Sequence, residues 1–217
     1  MQGKYHAEIV QTALGAHFSP ADIELITAAN LGLDVLAGQI GHPEYHFDDS
    51  AFAAGEAFIR QQRQAVVDAV RRGDRAAALA AFGRLTHTRQ DFYAHSNWLR
   101  RWAESQGGVE HCQPDAAPLC LDPLAVPGLI SGRSSIRVYI LHHLPLLGPL
   151  FKRLYMPPHS HEVMNLDHPG RGPLFPLAMA AAIAHTRREL QQTTAALESA
   201  GGAAAVDFFA PPRERTN

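Results

Sequence analysis

His87, Asp91 and His95 fall at every fourth position of the segment Leu85-Thr86-His87-Thr88-Arg89-Gln90-Asp91-Phe92-Tyr93-Ala94-His95-Ser96-Asn97-Trp98. Residues four apart share one face of a helix, so these three make a single polar stripe. Leu85, Phe92, Leu99 and Trp102 supply apolar neighbours that place the stripe at the core, where polar groups without partners are costly. A metal ion is the partner that imidazole and carboxylate groups most readily share. At a rise of ~1.5 Å per residue, His87 and His95 stand roughly 12 Å apart, so one ion on a regular helix cannot take both. Asp91 lies between them with two oxygens and is the candidate bridging carboxylate.

Further donors lie elsewhere in the chain. His46 sits in Tyr45-His46-Phe47-Asp48-Asp49 just before a helix, and Asp34 at the end of an apolar one. His6 is near Ile9 on the first helix, and His185 and Glu189 are one turn apart on the last. Imidazoles mixed with carboxylates, and no thiolate, suit zinc; iron or manganese would accept the same set. The plain readings are a buried hydrogen-bonded network for the stripe, a helix-cap neighbour for His46 and a surface pair for His185 and Glu189. His161 is the reserve donor should His185 fail, while His159 and His168 share its proline- and glycine-broken stretch.

The elements that would position these groups read as helices. Ser19-Pro20-Ala21 starts a second helix after the first around Ile9, Ala13 and Leu14. The stretch 50–72 runs without proline, and Gly73-Asp74 separates it from a helix expected over 75–104. Residues 106–133 read as a surface excursion, 156–176 as a second irregular stretch, and 174–200 as the last strong helix. The fold class is all-α, an irregular multi-helix bundle, with one metal-binding domain over 1–210 and a frayed polar tail over 211–217.

Bulk properties narrow the function classes. With 217 residues and 46% apolar content the chain can bury a full core. Net charge is −2, so no strong nucleic-acid signature is present. Thirteen histidines are the compositional outlier. Cys112 and Cys120 leave open two thiols or one disulfide. The stretch Met1 to His17 lacks the pattern of a signal peptide, which makes the cytoplasm the expected compartment. The apolar run Val138 to Phe151, broken by His142, His143, Pro145 and Pro149, is shorter than the ~20 residues of a transmembrane span and reads as buried helix and turn.

Four pieces carry a resemblance: Tyr5-His6-Ala7-Glu8-Ile9, Tyr45 to Asp49, Leu85 to Trp98, and Met164-Asn165-Leu166-Asp167-His168-Pro169-Gly170. In these the chain resembles the zinc-dependent phospholipase C and single-strand nuclease superfamily, closest to the helical domain of the heterokaryon-incompatibility (HET-C) type. The resemblance implies the zinc-dependent phospholipase C fold with two or three zinc ions. It places Asp34, His46, His87 and Asp91 around one ion, His6 and Asp91 on another, and His95, His185 and Glu189 on a third. It further implies hydrolysis of a small phosphoester or phospholipid, with metal-bound water attacking and Asp34 or Asp48 accepting its proton.

Rival readings lack their motifs. His161-Glu162 is followed by Asn165 where a gluzincin needs histidine, no His-Asp dipeptide occurs, and no pair of Glu-x-x-His motifs suits a di-iron bundle. The competing class is a non-catalytic helical protein that keeps metal for stability or partner recognition, its site closed by four protein donors.

Overall fold

The computed structural model describes residues 1–35, 38, 41–133, 157 and 159–212. Helices account for its regular structure: α1 (Gly3–Leu14), α2 (Pro20–Leu31), α3 (Pro43–His46), α4 (Phe52–Arg71), α5 (Arg75–His95), α6 (Trp98–Ser105), α7 (His161–Met164) and α8 (Phe175–Phe209). Among the described residues no strand forms, and only isolated bridges join Ser96 to Ser131 and Arg133 to Ser160. The all-α expectation holds.

Helix α2 starts where the sequence signals it. Ser19 accepts from the Asp22 amide while the Asp22 carboxylate accepts from the Ser19 amide, and Pro20 fills the first turn. Helix α5 is capped by Asp74, whose carboxylate accepts from the Ala77 amide at 3.0 Å. It then runs through the middle of the molecule, packed on α2, α4 and α8, and every residue from Leu85 to His95 is buried. A helix buried all round is normally apolar. This one carries Thr86, His87, Thr88, Arg89, Gln90, Asp91 and His95 inside, so each must find a partner there.

Two boundaries differ from the sequence reading. The helix expected over 75–104 breaks at Ser96, because returning loops take its last backbone groups. The Gly132 amide donates to the His95 carbonyl at 3.0 Å, Leu166 to the Ala94 carbonyl at 2.8 Å, and the Asn97 amide donates to the Ile130 carbonyl at 2.9 Å. The last helix runs past residue 200 to Phe209, interrupted at Gly202 with φ of 68°. Its end is held by Phe209, fully buried edge-on to the rings of Phe18 and Phe82. Cys112 and Cys120 are buried free thiols. The apolar run Val138 to Phe151, with His142 and His143, and residues 213–217 of the tail lie outside the described residues.

Candidate metal centre

His87, Asp91 and His95 do line one face of α5, and the other helices bring their partners to it. His6 comes from α1, Asp34 from the 3-10 turn Gly32–Asp34 after α2, and His46 from the end of α3. His46 and Asp48 are delivered by a tight turn in which Phe47, Asp49 and Ser50 adopt left-handed φ of 53–55°. Such residues cost about 1–3 kcal/mol each and persist only where surroundings hold them. The hold comes from loop 131–132: the Asp49 amide donates to the Gly132 carbonyl at 2.8 Å and the Ser50 amide to the Ser131 hydroxyl at 2.8 Å.

Three further donor atoms converge on Asp91. Asp91 Oδ2 lies 2.9 Å from His46 Nδ1 and 3.1 Å from His87 Nε2. His46 Nδ1 and His87 Nε2 are 3.1 Å apart, and Asp34 Oδ1 is 3.7 Å from His87 Nε2. A tetrahedral ion with bonds of 2.0–2.1 Å separates its donors by about 3.3 Å, which falls inside this spread. Asp34, His46, His87 and Asp91 form one group of donors able to hold a metal ion.

The protons of these rings are fixed from behind. Gln90 donates its amide NH2 to Thr186 Oγ1, so its oxygen faces His6 Nδ1 at 2.6 Å and must accept from it. Asn30 donates to Thr86 and to that same Gln90 oxygen, which leaves its own oxygen to accept from His87 Nδ1 at 3.4 Å. In the neutral rings both Nε2 atoms therefore carry lone pairs, and both point at Asp91. Burial, with His6 and His46 beside it, pushes His87 down to about 3 despite Asp91, so its ring is neutral. Burial opposes charge on Asp91, yet the Met1 ammonium foremost, with His95, holds its carboxyl well below the usual range. A lone pair on His87 thus faces an ionised carboxylate. His6 Nε2 lies 3.2 Å from Asp91 Oδ1 and has no hydrogen-bond partner, although it is fully buried. His46 Nδ1 can donate into this cluster, but the buried His6 Nε2 is left turned on a carboxylate, the kind of group that calls for a further partner.

Asp91 presents its other oxygen to a second set of groups. Met1 N lies 2.6 Å from Asp91 Oδ1, 3.0 Å from Asp167 Oδ1 and 3.3 Å from His95 Nε2. Burial opposes the charge of this ammonium, but Asp91 and Asp167 raise it to about 11.

His95, His185 and Glu189 are not brought together. His95 faces Asp48, Asp167 and the His46 carbonyl. His185 Nδ1 accepts from the Tyr93 hydroxyl at 2.6 Å, and that hydroxyl accepts from the Cys120 amide at 3.2 Å. Glu189 is fully buried and accepts from Arg89 at 2.8 Å and from Arg63. Burial and the cations of Arg89, Arg188 and Arg63 hold His185 well below its usual range. Glu189 is spent on an ionic network joining α8 to α4 and α5, and His185 on its hydrogen bond to Tyr93 of α5. His161, the reserve donor, sits instead against Asp48 at 3.0 Å. Sequence reasoning missed Asn30, Gln90 and Asp167 as site residues. For Gln90 the signal was present, a polar residue inside a helix read as buried.

The family model for the VWA7 N-terminal domain matches residues 2–115, just over half of the chain. A human relative, von Willebrand factor A domain-containing protein 7, is 34% identical over 74 residues, which cover 34% of this chain and 8% of that protein. No solved structure matches. These findings overturn the resemblance to the zinc-dependent phospholipase C and nuclease superfamily and its HET-C type. The phosphoester hydrolase reading falls with it, and the phosphoester or phospholipid substrate has no support. The physical reason is that a four-residue spacing of polar groups reports helix pitch, which any buried polar helix shares, and so carries no lineage.

Proposed function

This chain belongs to the VWA7 N-terminal domain family, and we propose that its helical unit is a non-catalytic metal-binding module whose ion is zinc, held for stability. One observation carries the reading: donor atoms of Asp34, His46, His87 and Asp91 converge within 4.8 Å of one another from three different elements. Four protein donors close a tetrahedral ion, as structural zinc sites do, and leave no position for a substrate. Asn30 behind His87 supplies the outer hydrogen bond that orients a ligating imidazole. The ion would tie the turn after α2, the end of α3 and the centre of α5 together. The aligned stretch spans 8% of the human relative, so this reading concerns the helical unit only.

Thermal unfolding of the full chain tests the proposal. Zinc at a hundredfold excess over its dissociation constant adds about 2.7 kcal/mol, hence roughly 5–10 °C in Tm for a chain of this size. That increment disappears in His87→Ala and Asp91→Asn. A Tm indifferent to zinc and chelator in the wild type refutes the structural role.

A further inference from the structure

A second group of donors lies outside the centre just described, on the far side of His46. Asp48, His95 and His161 place donor atoms within 4.8 Å of one another. His161 Nδ1 is 3.0 Å from both Asp48 oxygens, and His95 Nδ1 is 3.5 Å from Asp48 Oδ1. The two rings meet edge to face with centroids 4.4 Å apart. Behind them stands Asp167, its Oδ1 3.1 Å from His95 Nε2 and its Oδ2 3.7 Å from His161 Nε2. One carboxylate therefore backs both imidazoles by their far nitrogens while the near nitrogens address another carboxylate. This is the arrangement of outer carboxylate, histidine and metal that orients ligating rings and raises their basicity. The His46 carbonyl adds a further oxygen, 2.9 Å from His95 Nδ1.

We propose that Asp48, His95 and His161 form a second site, for an exchangeable divalent first-row transition cation, oriented from behind by Asp167. Two imidazoles and one carboxylate on one side of an ion leave positions open, a donor set that accepts iron, manganese or zinc. To take the ion, His95 moves its proton from Nδ1, where the His46 carbonyl now accepts it, to Nε2, where Asp167 accepts it, and the Met1 ammonium beside Nε2 keeps its bonds to Asp91 and Asp167 alone. The Nδ1 proton that His161 directs at Asp48 is released to solvent as the ion takes its place. Access distinguishes this site from the first. The His161 and Asp167 side chains are 30% and 21% exposed, whereas those of His87 and Asp91 are fully buried. The first centre meets solvent only through Asp34, 27% exposed, whereas the second shows solvent a ligating imidazole and keeps open positions, so its ion is the one that exchanges. The two sites share His46, which offers its ring to one and its carbonyl to the other, but they share no donor atom.

Cobalt(II) titration of the full chain, followed by visible absorption and by metal counting after desalting, tests the site. The wild type takes up an equivalent lost on desalting in addition to any that stays. His161→Gln and Asp48→Asn weaken the labile equivalent at least tenfold at unchanged helical circular dichroism, and Asp167→Asn weakens it roughly 10–100-fold. His87→Ala keeps it, so loss of the first centre and loss of this one are read separately. A labile equivalent of unchanged affinity in both His161→Gln and Asp48→Asn overturns the proposal. So does a wild type that binds no cobalt beyond what His87→Ala removes.

Discussion

Asn30 and Gln90 decide the chemistry of the centre without reaching its middle. Each offers an amide oxygen to the outer nitrogen of an imidazole and so turns the inner lone pair toward Asp91. Replacing Asn30 by leucine keeps the volume but removes the acceptor behind His87. Zinc affinity is expected to fall about 10–100-fold with the fold retained, as outer hydrogen bonds to ligating histidines usually contribute; competition with a chromophoric chelator measures it, and an unchanged affinity refutes the orienting role. At this scale the sequence was partly legible. The spacing of His87, Asp91 and His95 placed them on one buried face, and the structure puts them there. His185 and Glu189 looked like ligands because spacing along a helix does not reveal that Tyr93, Arg63 and Arg89 arrive from other elements to claim them.

Among the elements, α2 and α5 set the precision of the site, because Asn30 on one must meet His87 on the other. Gly83 allows their approach: a Cβ there would collide with the Ile26 carbonyl and come within 3.1 Å of the Asn30 amide. Gly83→Ala is expected to cost about 1–3 kcal/mol by overpacking and to loosen zinc through displaced Asn30; urea unfolding checks the first and metal titration the second. The same helices are joined at their starts by Arg75, whose guanidinium donates to Asp22 at 2.5 and 2.9 Å. Arg75, with smaller help from the Ser19 bonds, lowers the Asp22 carboxyl to about 2 against burial. A depressed folded-state carboxyl stabilises above its unfolded value, near pH ~4, and this stabilisation is lost as pH falls toward 2. Asp22→Asn should cost about 1 kcal/mol at neutral pH for a partly solvated pair, and should flatten the pH dependence of stability between 4 and 2. The break at Ser96 was not legible, since it depends on Gly132 and Leu166 amides donated by loops far along the chain.

Over the whole molecule, the polar interior of α5 is compensated in two separate zones. Around Asp91 one oxygen meets the Met1 ammonium and the other meets His46 and His87, the side on which the proposed ion would sit. Around Arg89 the charges are balanced by protein alone: its guanidinium grips Glu56 at 2.6 and 3.0 Å and Glu189 at 2.8 Å, with Arg63 closing the set. Glu189→Gln removes the buried anion shared by two arginines and should cost about 3–5 kcal/mol, read by urea unfolding. It should leave zinc binding intact, because His185 and Glu189 belong to this zone. Among the described residues no helix is long and apolar enough to cross a membrane. The all-helical class was legible from periodicity and from the scarcity of alternating segments, whereas lineage was not, because a helical ligand stripe looks alike in unrelated families.

The most direct measurement is the metal content of the full chain, purified without chelator and supplied with zinc, by elemental mass spectrometry beside His87→Ala and Asp91→Asn. At least one tightly held zinc per wild-type chain is expected, absent from both variants. A folded wild-type chain with no retained zinc would contradict it and return Asp34, His46, His87 and Asp91 to a hydrogen-bonded polar network.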